Sequence, residues 1–86
     1  MPLDVVTVGD SVVDIVIPVP RFPVGNEDSV VGEGMTRQLG GASNFLIQAS
    51  RLGLAAGIVD CVGDDDLGGF FVEGLRSEGV DVSRIY

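Results

Sequence analysis

The chain has 86 residues, which suits one small domain or part of a larger one, and at this size roughly 60–65% of the unfolded surface can be buried. A formal net charge of −8, with all five basic residues arginine, repels phosphate backbones and acidic membranes and argues against both as partners. One cysteine and no histidine exclude an internal disulfide and a structural zinc site, and with no leader-like or membrane-spanning run the sequence reads as intracellular, most simply cytoplasmic.

In chain order, residues 4–9 (Asp-Val-Val-Thr-Val-Gly) read as a strand opening an α/β domain. Their near-continuous apolar character suits a parallel strand covered on both faces. Asp10 and Ser11 break it, and residues 12–19 form a second β-branched run with one acid, Asp14, inside it. Asp14 either faces solvent from an edge strand or lines a cleft, where its carboxylate would accept hydrogen bonds from a hydroxylated ligand. Pro18, Pro20 and Pro23, with Gly25 and Asn26, then predict a loop.

Residues 27–31 and 35–39 read as two short strands around Gly32-Glu33-Gly34, either a plain surface hairpin or a lid over a site. Gly40 and Gly41 stand before a segment in which Phe45, Ala49 and Leu52 recur at i, i+4 and i+7, the spacing of one helical face. A turn at the two glycines would leave backbone N–H groups at the helix start open to a ligand. Gly53 stops the helix, and the apolar run 55–62 reads as a buried strand. Asp64, Asp65 and Asp66 then precede Leu67, Phe70, Phe71 and Leu75, an acidic cap on a second amphipathic helix that ends at Gly79. A metal loop is the weaker reading, because Leu67, Gly69 and Phe71 fall where an EF-hand needs ligands. Residues 80–86 read as a last strand or an extended tail. The order β-β, ribbon, α, β, α, β predicts helices covering a mostly parallel sheet.

Taken together these motifs resemble the N-terminal part of the PfkB (ribokinase-like) carbohydrate kinases. The residues that carry the resemblance are Val8-Gly9 with Asp14, Gly40-Gly41 with Asn44, Gly53, Val62-Gly63-Asp64-Asp65 with Gly68, and Gly79-Val80-Asp81-Val82. The resemblance spans residues 1–86. It implies the N-terminal part of a ribokinase-like αβα sandwich, with a β-ribbon lid at about 27–39 and the C-terminal ATP-binding part absent. Activity by resemblance is transfer of the γ-phosphate of ATP to a hydroxymethyl group of a sugar or nucleoside. ATP and Mg2+ would serve the full-length enzyme, and neither would bind this chain alone.

By the same resemblance, Asp14 would bind substrate hydroxyls, and the Gly40-Gly41 backbone with the Asn44 side chain would complete the pocket. The lid implies a possible dimer, and the missing C-terminal half is itself an implied partner. Arg37, near the lid's return, is either a phosphate-neutralising group or an ordinary surface arginine. Val12-Val13-Asp14 is closer to fructokinase-like or adenosine-kinase-like members, and the interval from Gly41 to Asn44 is one residue shorter than in many relatives. The family's downstream Gly-Ala-Gly-Asp segment, which supplies the anion hole and the general base, has no counterpart here. No catalytic residue is therefore assigned, and the expected activity of the isolated chain is nil. Two alternatives are a small non-catalytic polyol-binding or interaction module and an unrelated nucleotide-binding α/β fragment.

Overall fold

The computed structural model describes residues 2–86. Three strands, β1 (Val5–Val8), β4 (Ala56–Asp60) and β5 (Asp81–Ile85), form a parallel sheet in the order β1-β4-β5. Two others, β2 (Ser11–Val16) and β3 (Thr36–Gly41), pair antiparallel as a separate ribbon. The helices α1 (Ser43–Arg51) and α2 (Asp66–Ser77) each lead from one strand into the next. The β4-α2-β5 unit joins neighbouring parallel strands, as the sequence order predicts.

The ribbon differs from the expected hairpin. Residues 27–31 form no strand, and β3 pairs instead with β2, Val12 opposite Gly40 and Asp14 opposite Gln38. The physical reason is that the β-branched run of β2 offers a continuous ladder, whereas the stretch between β2 and β3 carries all the prolines after Pro2 and makes few backbone hydrogen bonds. Gly32-Glu33-Gly34 is therefore no hairpin turn; the Glu33 N–H bonds back to the Pro18 carbonyl at 2.8 Å.

The core lies between the helices and one face of the sheet. Leu46 and Ala49 of α1, Phe71 and Leu75 of α2, Ala56 and Ile58 of β4 and Val80 are all buried. The α1 face is not the one expected: Phe45 and Leu52 are exposed, and the buried stripe is Ser43, Leu46 and Ala49. Among the described residues the sheet is covered on one face only. Val5 packs toward the core, while Val8 on the other side of β1 is 82% exposed, so β1 is not enclosed on both faces as its composition suggests.

Glycines and acids close the elements as predicted. Gly53 (φ 95°) and Gly79 (φ 83°) end the two helices, each donating to the carbonyl three residues back. The next N–H, from Leu54 or Val80, reaches the carbonyl five residues back, which completes a Schellman cap at both ends. Asp65 caps α2, its carboxylate accepting the Gly68 N–H at 2.8 Å. No group of three or more His, Cys, Asp or Glu is placed to hold a metal among the described residues, and no described helix is long and apolar enough to cross a membrane.

Candidate functional site

The two faces of the ribbon have different fates. On β3, Arg37 and Leu39 turn toward α2: the Arg37 guanidinium sits 4.6 Å from the Phe70 ring centroid and pairs with Asp66 at 2.9 Å, and Leu39 packs into the core across Gly74. Strand alternation then puts Gln38 and Gly40 on the opposite face, with Val12 and Asp14 of β2. That opposite face is the candidate site.

Asp14 and Gly40 are brought together directly. A Cβ placed on Gly40 would lie 2.6 Å from the Asp14 Oδ2, so the carboxylate occupies the room that a side chain at position 40 would take. Asp14 is exposed and its side chain makes no hydrogen bond to another described residue, which leaves both carboxylate oxygens free to accept. Gly41 is required for a different reason. Its φ is 58°, and a Cβ there would meet the Asp10 carbonyl oxygen at 2.4 Å.

Gly40 and Gly41 end β3 rather than forming the expected turn. The turn falls on Ala42, whose N–H bonds to the Asp10 carbonyl at 3.1 Å, so this donor is already satisfied. Ser43, fully buried, fixes the corner by donating its hydroxyl to the Gly40 carbonyl. Asn44 follows in the first turn of α1, exposed and three residues from Gly41. It makes no side-chain hydrogen bond among the described residues and is not joined to Asp14 by any direct contact of that kind.

Asp60, at the end of β4, was not picked out in the sequence. Its carboxylate accepts the Ser11 N–H at 3.0 Å, the Ser11 hydroxyl, and the Cys61 N–H at 2.7 Å. These bonds, the Ser11 hydroxyl first, hold its pKa below the usual carboxylate range. Asp60 thereby pins the start of the ribbon to the end of the central strand of the sheet. An acid closing an apolar strand run was visible in the sequence, but its partner 49 residues away was not. Asp10 is the second residue missed: with φ 65° it is in the left-handed region, which Asp tolerates better than most residues, and its carbonyl receives α1.

A crevice of ≈ 320 Å³ opens on the other side of the ribbon, lined by Ser11, Val13, Gly63, Asp65 and Phe71 among others. Two of its polar side chains are already engaged, Ser11 with Asp60 and Asp65 with the α2 cap, whereas the Asp14 carboxylate on the opposite face is not.

The model of the pfkB family of carbohydrate kinases matches residues 2–86. A 2-dehydro-3-deoxygluconokinase of Bacillus subtilis is 36% identical over 85 residues, 99% of this chain and 25% of that protein. A nucleoside kinase of Methanothermobacter thermautotrophicus is 33% identical over 82 residues, 95% of this chain and 26% of that protein. The crystal structure of a PfkB protein from Polaromonas sp. JS666 superposes with a TM-score of 0.78 at 29% identity, covering 98% of this chain and 26% of that one. An Arabidopsis thaliana ribokinase complexed with ribose and ATP has the same fold, with a TM-score of 0.79 at 23% identity over 99% of this chain and 28% of that one. The chain belongs to the pfkB carbohydrate kinase family, and its fold is the N-terminal part of the ribokinase-like fold. It spans about a quarter of the length of the curated relatives it matches.

Proposed function

We propose that these 86 residues are the substrate-binding and lid portion of an ATP-dependent kinase that phosphorylates a hydroxymethyl group of a sugar or nucleoside. The observation that carries this reading is the Asp14 carboxylate lying over Gly40 on the exposed face of the ribbon, in a chain of this family. An ionised carboxylate accepts hydrogen bonds from two adjacent hydroxyls, and the glycine beneath it lets the carboxylate lie against the backbone. Gly41 and Asn44 complete the pocket in this reading, Gly41 by holding the corner and Asn44 by offering an amide from the first turn of α1. The lid is the ribbon together with residues 17–35, so that closing it over a ligand excludes water. A dimer through the lid would cover its exposed Phe22, Val24 and Val31.

The residues present do not fit a triphosphate. The start of α2, where an anion would otherwise be welcome, carries Asp64, Asp65 and Asp66, and Asp65 already caps it. Four of the five arginines are paired with carboxylates: Arg21 with Asp28, Arg37 with Asp66, Arg51 with Glu78 and Arg76 with Glu73. Arg37 is thus held by α2 and is not free to neutralise a phosphate. Nucleotide binding and the general base belong in this reading to sequence outside these residues, packed against the open sheet face of Val6 and Val8. The isolated chain is accordingly inactive. Incubation with γ-labelled ATP, Mg2+ and a panel of sugars and nucleosides tests this. No label should reach any acceptor; transfer above a protein-free blank would overturn the assignment of the machinery elsewhere.

A further inference from the structure

We infer that Gln38 is a further ligand-contacting and specificity-determining residue, acting beside Asp14; this rests on the reading of the Asp14 face as a hydroxyl-binding site. Gln38 is the residue directly opposite Asp14 in the β2–β3 ladder. Directly opposed residues of an antiparallel pair project to the same face, with Cβ atoms about 4.5–5.5 Å apart. The contacts of its neighbours fix that face: Arg37 is committed to Asp66 and Phe70, and Leu39 to the core, so Gln38 faces away from α2.

Gln38 is exposed, and its amide makes no hydrogen bond to Asp14 or to any other described residue. Two polar groups of complementary type therefore stand side by side and unpaired. The carboxylate can only accept; the amide donates through its nitrogen and accepts through its oxygen. Val12 and Gly40 form the adjoining pair on the same face; the Asp14 carboxylate lies over Gly40, and Val12 is the apolar neighbour of the polar pair. A ligand with two neighbouring hydroxyls on a saturated ring matches this surface: one hydroxyl donates to Asp14, the next exchanges hydrogen bonds with Gln38, and the ring's C–H face rests on Val12. An acceptor-only group, such as a ketone, could use Gln38 and not Asp14, so the residue at position 38 sets which neighbouring function the site tolerates.

The test is a titration of the isotopically labelled chain, followed by NMR at the Gln38 side-chain amide and at the Asp14 and Gly40 backbone amides. The probes are ribose, 2-deoxyribose and adenosine, with Gln38→Leu, Gln38→Glu and Asp14→Ala as variants. The inference predicts saturable shifts at all three positions and about a tenfold loss of affinity in Gln38→Leu. Gln38→Leu should also lose the preference for ribose over 2-deoxyribose, a change that a merely structural role would not produce. Saturable shifts at Asp14 and Gly40 with the Gln38 amide unmoved, or with the preference intact in both Gln38 variants, would overturn the role of Gln38 and leave the Asp14 site standing. No saturable shift at any of the three positions would overturn both.

Discussion

At residue 40 the absence of a side chain has a specific consequence: the Asp14 carboxylate takes that volume, and the two residues form one unit. At residue 41 the constraint is backbone, because the left-handed φ and the Asp10 carbonyl both exclude a Cβ. Asp60 shows how a single acid can join two sheets. Its carboxyl pKa is lowered by the Ser11 hydroxyl and by the Cys61 and Ser11 N–H groups. A carboxylate whose folded pKa lies below its unfolded value of 3.8 stabilises the fold above that value, and the contribution is lost as pH falls through the folded pKa. Asp28, held down to about 2 by Arg21 and the Val24 N–H, acts in the same direction, though solvent reaches the pair and screens it. Thermal melts between pH 5 and pH 2 should therefore show stability falling below about pH 4. In Asp60→Asn that fall should be shallower. An unchanged slope in the variant would mean that the Ser11–Asp60 tie is not formed in solution.

At the scale of elements, the buried stripe of α1 decides a stability prediction. Leu46→Ala should cost about 2–5 kcal/mol, because Leu46 is fully buried between the sheet and α2. Phe45→Ala should change stability by about 0.5 kcal/mol or less, since Phe45 is half exposed. Urea unfolding of both variants checks this, and the reverse order would show that α1 buries its other face. The sequence permits both faces, because Phe45, Ala49 and Leu52 satisfy helical spacing as well as Leu46 and Ala49 do. The positions of β3 and β4 select between them. Helix ends were legible because a glycine in the left-handed region or an aspartate at an N-cap is a local requirement. Strand β4 was legible from its apolar run for the same local reason. The β2–β3 pairing was not, since it joins segments separated by a proline-rich loop and depends on which ladder is longest.

The whole molecule is extended, with a radius of gyration of 16.2 Å against about 12 Å for a compact chain of this length. The sheet and its two helices hold the core, and residues 17–35 lie mostly exposed beyond the ribbon. Asp14, Gly40, Gly41 and Asn44 were named in the sequence as candidate site residues through the family resemblance. That Asp14 lies on Gly40 and that Asn44 stands in the first turn of α1 follow only from the ribbon pairing and the corner at Ala42. Gln38 had no signal of its own, because its place opposite Asp14 exists only once the ladder forms. The reading of this chain turns on whether the Asp14 face of the ribbon binds hydroxylated ligands. Calorimetric titration of the chain with ribose, fructose, adenosine and ATP, repeated on Asp14→Ala and Gly40→Ala, tests it most directly. The account predicts saturable heat with at least one sugar or nucleoside, lost in Asp14→Ala, weakened in Gly40→Ala where the new methyl displaces the carboxylate, and absent with ATP. Binding that persists undiminished in Asp14→Ala, or ATP binding indifferent to that substitution, would contradict it.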